Sequence, residues 1–519
     1  MSIPQFIAAK GGYSNTLVVI TALVISLVAF MFGTIVYRLW FHPLAKIPGP
    51  KYMAVCDVFS QWRTFITLDM SLYMVDLHRK YGPIVRIGPN RLAMEGSIAW
   101  PQVYSVRSSS DGTEFGKQRG YLYPTDHLSL LGANKDDHRR QRRQLNHAFS
   151  AAALHEQEHI VMKYINQFIS ILTEKAKKGE VLNIVDWINY TTFDIIGDLC
   201  FADAFHGLDG DTAYVQNAFR GLIGTHINRF LWHFPLMKVP LMLMLGTKEL
   251  AIALEAGRRN SELGRLKGRA RMAMGAEPKD GRRDFATYML REGKNGEKIL
   301  SESEVEALSS ILVVAGSETT GTALAGFVYL ITHNPDKKRV LQDEIRSAFT
   351  NEAGIDITNT GRLEYLNAVI EETMRMYPPA SSLTPRVSPG AEIEGYWLPR
   401  GLRIHVYSRA TYRNPLNFTD PDSFHPERWL SPNHPRYNPR FAHDRREVFK
   451  PFSAGNRDCI GKNLAYAEMR LTISKLVYRF DIELLPGQDD WLDSQRTTLV
   501  MLKPALNARF NLRPGVALD

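Results

Sequence analysis

The chain has 519 residues, 45% of them hydrophobic, enough for a large core and by length alone for about three domains. Its three cysteines, Cys56, Cys200 and Cys459, are too few and too scattered for a disulfide framework, which fits a reducing compartment. A net charge of +9 invites a nucleic-acid reading, but 54 acidic residues are mixed among 63 basic ones, and an anionic protein partner or lipid surface explains the excess equally well.

Residues 11–37 carry no Asp, Glu, Lys or Arg, and Thr16–Val36 alone is long enough to cross a bilayer as a helix, which takes ~20 apolar residues. A cleavable signal peptide would have a shorter apolar part followed by a small-x-small site. Here Tyr37-Arg38-Leu39-Trp40 follows instead, an aromatic and basic edge typical of a membrane interface. Arg38, Lys46 and Lys51 outnumber Lys10 on the other flank, so the C-terminal side is expected in the cytosol. The expected organisation is a short segment over 1–15, a retained single-pass anchor over 16–40, a stiff proline hinge over 41–51 and one large domain over 52–519. Two Asn-x-Thr sites, at Asn189 and Asn417, could accept a glycan only if that domain were lumenal.

Past the hinge, Asp69 to Lys80 reads as a helix, and 84–88 with 91–94 as a strand pair around a Pro-Asn turn. Residues 108–134, rich in Ser, Gly and Tyr, form a long irregular stretch. Asp137 to Leu145 is a strongly basic helix in which His138 and Arg142, four apart, share a face. Two helices are expected over 154–205. The prolines between Gly224 and Gly246 break the apolar run there and leave room for an exposed patch. Residues 257–298 suggest a basic helix and then a mobile loop. Ser301-Glu302-Ser303-Glu304 has capping-box form and opens a helix to Asn334. From Leu308 to Ile331 its one formal charge is Glu318. Three glycines and several hydroxyls dilute its hydrophobicity, so a buried core helix is favoured over a second membrane span. A carboxylate there needs a partner, water or a task. Thr319 and Thr320 beside it can bond back to the preceding turn and bend the helix. Leu363 to Tyr377 is a helix with an apolar stripe; Glu372 and Arg375 lie off it and by pattern alone form an exposed ion pair. Two short strands flank the Pro-Arg-Gly turn at 399–401, a coil runs over 411–451, and a helix is expected from Lys462 to Tyr478.

Between that coil and helix lies Phe452-Ser453-Ala454-Gly455-Asn456-Arg457-Asp458-Cys459-Ile460-Gly461. Cys459 stands at a helix entrance, where unpaired N–H groups and the dipole favour a thiolate, and Arg457 adds a cation. Gly455 permits a tight turn and Gly461 a close approach by something flat. A lone thiolate suits haem iron better than zinc, which wants further ligands nearby, although most free cysteines are simply buried.

The pattern Phe-x-x-Gly-x-Arg-x-Cys-x-Gly resembles the haem-ligand loop of the cytochrome P-450 family. Ala315-Gly316-Ser317-Glu318-Thr319-Thr320 resembles that family's central-helix motif, Glu372-x-x-Arg375 its second signature, and Phe424-His425-Pro426-Glu427-Arg428-Trp429 the later segment that completes it. The resemblance implies a mainly α fold with small β-sheets, one large helical domain behind the transmembrane helix. It implies haem b with Cys459 as axial ligand, and Thr319 and Glu318 delivering protons to oxygen. It further implies a buried triad of Glu372, Arg375 and Arg428, and propionate contacts from His138, where the family most often has Trp, Arg142 and Arg386. Phe452, Gly455, Arg457 and Gly461 would shape the cofactor slot. The region after Gly224 would dip into lipid. The hinge, the His-Arg-Arg-x-Arg-Arg run and Phe-Asp-Ile-Ile-Gly-Asp look most like filamentous-fungal members that oxidise polyketides or terpenoids, such as the isotrichodermin 15-hydroxylase group. With no Gly-x-Gly-x-x-Gly strand–helix turn or flavin segment, the implied electron source is a separate NADPH-dependent flavoprotein reductase, with cytochrome b5 as a second candidate donor, at the endoplasmic reticulum membrane; no nucleic acid is implied. Two rival readings are a haem-thiolate enzyme that rearranges, couples or dehydrates, and a non-catalytic anchored haem binder.

Overall fold

The computed structural model describes residues 3–105, 114–118, 126–278, 281–497 and 500–515. The apolar N-terminal stretch forms helix α1, Ile3–Val36, extended by a wider turn over Tyr37–Phe41. The helix takes in most of the segment expected to precede the anchor. Its membrane-length portion, Thr16–Phe41, buries nothing against the rest of the chain. An apolar helix left uncovered by protein is consistent with a membrane anchor. Residues 42–50 then turn and bend without regular structure, as their prolines require.

The body is built from α2 (Met70–Tyr81), α3 (Lys135–Asn146), α4 (Ala151–Lys177), α5 (Ile184–Phe201), α6 (Ala213–His233), α7 (Thr247–Ala273), α8 (Glu302–Thr332), α9 (Glu364–Met376) and α10 (Lys462–Arg479), with a further helix over Pro335–Ala348 and shorter elements between them. The second apolar helix, α8, has 72% of its most apolar window buried, so it is a core helix and not a span. It lies against α5 so closely that a Cβ at Gly316 would stand 2.6 Å from Ile196. Its start carries both bonds of the capping box: Glu304 N–H donates to Ser301 Oγ, and Ser301 N–H donates to Glu304 Oε2 at 2.9 Å.

The strands are short: β1 (Ile84–Gly88), β2 (Arg91–Met94), β3 (Gly116–Lys117), β4 (Val181–Asn183), β5 (Arg386–Val387), β6 (Ala391–Ile393), β7 (Tyr396–Leu398), β8 (Arg403–His405), β9 (Phe480–Leu484), β10 (Arg496–Thr497), β11 (Met501–Leu502) and β12 (Asn507–Leu512). The largest sheet has the order β1-β2-β8-β5-β3, with β2 and β8 parallel and the other pairs antiparallel. The two strands around the Pro-Arg-Gly turn do not pair with each other: β7 joins β6, and β8 enters the large sheet.

Two stretches differ from expectation. The region after α7 is anchored, because Arg271 and Asp284, both buried, form a two-point ion pair with Nε and Nη2 each 2.8 Å from a carboxylate oxygen, and Asp284 caps a short helix over Phe285–Met289. About half of the irregular stretch 108–134 lies outside the described residues, but its piece Gly116–Lys117 is a strand paired with Arg386–Val387. Between α6 and α7 the broken apolar run is exposed as expected, with Trp232 82% and Leu236 93% accessible.

Candidate active site

Before α10 the chain closes a loop. The Cys459 N–H donates to the Phe452 carbonyl at 2.9 Å, and the turn between them uses positive φ at Ser453 (64°) and Gly455 (77°). Gly455 is doubly required, since a Cβ there would lie 2.1 Å from the Tyr104 carbonyl oxygen. Phe452 packs on Tyr466 with ring centroids 5.1 Å apart. The loop so held presents Cys459 to a cavity of ≈ 330 Å³. Among its walls are Phe452, Gly461, Leu464 and Glu468 from one side, Leu312, Ala315, Gly316, Thr319 and Thr320 of α8 from another, and Leu130, Phe149, Ile196, Leu383 and Val500 between.

One end of this cavity is cationic. His138, Arg142, Arg386 and Arg457 all reach it, as the sequence resemblance implied, and Lys117 joins them. Lys117 is the cross-strand partner of Arg386, and like charges placed opposite one another repel. Burial, then Arg386, Arg457 and Arg142, depress the Lys117 pKa to about 7. Burial and the same cations push His138 down to about 3, so its imidazole is neutral. Arg457 has a partial counter-ion in Glu114, at 2.9 Å, and Arg142 in Asp458, at 2.7 Å. Among the described residues no carboxylate forms an ion pair with Arg386: its guanidinium sits over the Tyr104 ring at 4.6 Å and donates a long hydrogen bond of 3.5 Å to the Phe115 carbonyl. Such a cluster suits a ligand that brings its own negative charges. Beside the cysteine, a Cβ on Gly461 would meet only Cys459 Sγ and Phe149, each at 3.9 Å, so the backbone there leaves room for a close approach. A planar, dianionic group with a metal at its centre, haem, fits a slot with a thiol at its floor and cations at its rim.

The Cys459 side chain is exposed to the cavity. Desolvation by the surrounding walls pushes its thiol pKa up, while the Gly461 amide and Arg142 pull it down. A coordinated metal ion would hold the sulfur as a thiolate, since a ligating thiol is deprotonated.

On α8, adjacent residues point in different directions. Thr319 faces the cavity, its hydroxyl donating to the Ala315 carbonyl at 2.5 Å. Glu318 is absent from the cavity wall: it is buried and ion-paired at 2.9 Å with Lys503, which also donates to Thr322 at 3.1 Å. Burial raises the Glu318 pKa and Lys503 opposes it.

Glu372 and Arg375 are fully buried, against their helical pattern. Glu372 accepts from Arg375 Nε and Nη2, both at 2.8 Å, from the His425 N–H at 2.8 Å, from Arg428 Nε at 3.1 Å and from Trp429 Nε1 at 2.9 Å. Arg428 is also ion-paired with Asp444. Burial works to raise the Glu372 pKa, but the two arginines and the amide outweigh it and hold the carboxyl below its ordinary range.

Sequence reasoning missed Lys117, Lys503, Asp444 and Glu468. For Glu468 a signal existed: it falls four residues after Leu464, on the face of α10 that meets the cavity with Leu464 and Ala465. For Lys117 and Lys503 none did, because long-range pairing brings them in.

The cytochrome P450 family profile matches residues 49–510. The chain is 37% identical to cytochrome P450 monooxygenase astJ of Aspergillus oryzae over 477 residues, 90% of this chain and 92% of that protein. It is 36% identical to the trichothecene C-4 hydroxylase of Trichoderma arundinaceum, covering 92% and 94% of the two chains, and 35% identical to the trichothecene C-15 hydroxylase of Fusarium sporotrichioides, covering 92% and 95%. With relatives named as monooxygenases and hydroxylases matched along nearly their whole length, the chain belongs to the cytochrome P450 family and is an oxidoreductase.

Proposed function

We propose that this enzyme is a haem-thiolate monooxygenase that hydroxylates or otherwise oxidises a neutral, hydrophobic intermediate of secondary metabolism, a terpenoid or polyketide. The observation that carries this reading is the convergence of Cys459, Thr319 and a cationic rim on one mostly apolar cavity. Cys459 would hold the iron of haem b, and His138, Arg142, Arg386, Arg457 and Lys117 its propionates. The bound haem supplies oxygen activation, with a thiolate ligand favouring O–O cleavage. Thr319 Oγ1 is where the chain positions the water that carries protons into the cavity. Its hydrogen is engaged by the Ala315 carbonyl, which leaves the oxygen lone pairs free to accept from water. Leu308, Leu312, Ile196 and Val500 exclude bulk water and favour an uncharged carbon skeleton, since most of the wall is apolar. Glu318, held by Lys503, organises protons from behind the helix.

Electrons would come from an NADPH-dependent flavoprotein reductase, with cytochrome b5 as a second donor, and the anchor would hold the domain on the cytosolic face of the endoplasmic reticulum. Kinship to trichothecene hydroxylases supports the substrate class. The test is reconstitution with a microsomal reductase and a panel of trichothecene and aromatic polyketide intermediates under ¹⁸O₂. One labelled oxygen per product, dependent on NADPH, is expected; rearranged or coupled product without label would refute monooxygenation.

A further inference from the structure

Behind the cysteine loop stands a phenol that the proposed reaction does not use. Tyr466, on α10, packs its ring on Phe452 with centroids 5.1 Å apart, and Phe452 lies on the cavity wall and accepts the Cys459 N–H at its carbonyl. The Tyr466 hydroxyl donates to Glu371 Oε1, on α9, at 2.6 Å, a length typical of a hydroxyl bonded to an ionised carboxylate. Tyr164, Tyr288 and Tyr365 also donate to carboxylates, those of Asp198, Glu156 and Glu427. Among the described residues, however, the tyrosine in ring contact with the Phe452–Gly461 loop is Tyr466, and Asp198 and Glu427 are already ion-paired with Arg282 and Lys337. Glu371 forms no ion pair among the described residues. Burial raises its pKa against the pull of Tyr466, Lys462 and Arg470, which makes it a better base for the phenol proton. The Arg470 guanidinium lies 5.1 Å from the Tyr466 ring centroid. A cation there disfavours positive charge on the ring, so the phenol gives up an electron only as its proton leaves. The Tyr466 side chain is also partly exposed, within reach of solutes.

We propose that Tyr466 is a redox-active residue that discharges an over-oxidised haem when no substrate carbon is in reach, with Glu371 as the base that takes its proton. This rests on the monooxygenase reading above, which supplies the oxidant, a haem two electrons above its resting state. The Tyr466 O–H bond breaks: the electron passes across the Phe452 contact to the haem, which is reduced by one equivalent, and the proton passes to Glu371. The neutral tyrosyl radical then takes an electron from a small-molecule thiolate, which becomes a thiyl radical, and Glu371 returns the proton. A second round removes the second equivalent, with two protons from cavity water carrying the oxygen atom off as water.

The test mixes the substrate-free, full-length ferric holoenzyme with a peracid and freezes it within milliseconds for electron paramagnetic resonance. Wild type should give an organic radical whose hyperfine pattern narrows when the protein is made with ring-deuterated tyrosine, and Tyr466→Phe should lack that signal. Glu371→Gln keeps an acceptor but not a base, and should form the radical about 10²-fold more slowly, the lower end of what a positioned proton acceptor contributes. Both variants should lose haem absorbance after fewer peracid additions than wild type, and glutathione should protect the wild type more than Tyr466→Phe. Should Tyr466→Phe fail to fold, the rate in Glu371→Gln decides. No tyrosyl signal in wild type, a signal of unchanged size in Tyr466→Phe, or an unchanged rate in Glu371→Gln overturns the proposal. A wild type lacking the thiolate-type haem spectrum before peracid is added would instead refute the parent reading.

Discussion

Replacing Glu372 by alanine removes the acceptor around which five donors are arranged: two from Arg375, one each from Arg428 and Trp429, and the His425 amide. Arg375 and Arg428 are both fully buried, and after the substitution Arg428 retains Asp444 while Arg375 retains backbone carbonyls, the Met376 sulfur and the Phe418 ring, none of them an anion. Breaking a buried pair and stranding one charge costs about 3–5 kcal/mol. That is a large share of the ~5–15 kcal/mol that holds a domain together. Urea unfolding of Glu372→Ala at pH 7, followed by circular dichroism, should show a loss of this size, and Glu372→Gln, which keeps the shape and part of the bonding, a smaller one. The pH dependence has a fixed sign. Because the folded-state pKa of Glu372 is lowered, its stabilisation is complete above the ordinary carboxylate value of about 4.3 and fades as pH falls through the lower folded value. The variant should therefore lose less stability than the wild type on acidification below that range. A cost under ~1 kcal/mol, the scale of an exposed pair, would refute the reasoning.

Thr319→Ala should keep haem and substrate binding, since Ala propagates a helix better than Thr, yet convert NADPH consumption from product to peroxide; an unchanged product-to-NADPH ratio would count against its role. Lys117→Met should speed transfer of haem to apomyoglobin and stabilise the haem-free protein, because it removes both a propionate partner and a cation facing Arg386. The two native Asn-x-Thr sites cannot report topology: Asn189 and Asn417 are both buried. Glu297→Thr makes exposed Asn295 an acceptor, and a cytosolic domain predicts no glycosidase-sensitive shift in microsomes.

Features written in contiguous residues were legible. The capping box at Ser301 and Glu304, the Phe452–Gly461 loop and the uncovered N-terminal apolar helix each depend on local sequence, and each forms as read. Burial of Glu372 and Arg375 was not derivable from helical periodicity, because their partners arrive from residues 412–429, and only resemblance pointed to it. Glu318 and Thr319 are adjacent in sequence but ~100° apart around a helix, and here Thr319 falls on the cavity wall while Glu318 turns toward Lys503. Lys503 and Lys117 carry no signal of their own; their positions follow from strand pairing near the C-terminus and within the large sheet.

The central claim is that Cys459 alone ligates the iron. It is tested most directly by the absorption spectrum of the dithionite-reduced, carbon monoxide-bound protein in three variants, Cys459→Ala, Cys56→Ser and Cys200→Ser. The account predicts that the band diagnostic of a thiolate ligand survives in the last two and disappears in Cys459→Ala. A Cys459→Ala protein that retains haem and shows the unaltered thiolate band would contradict it.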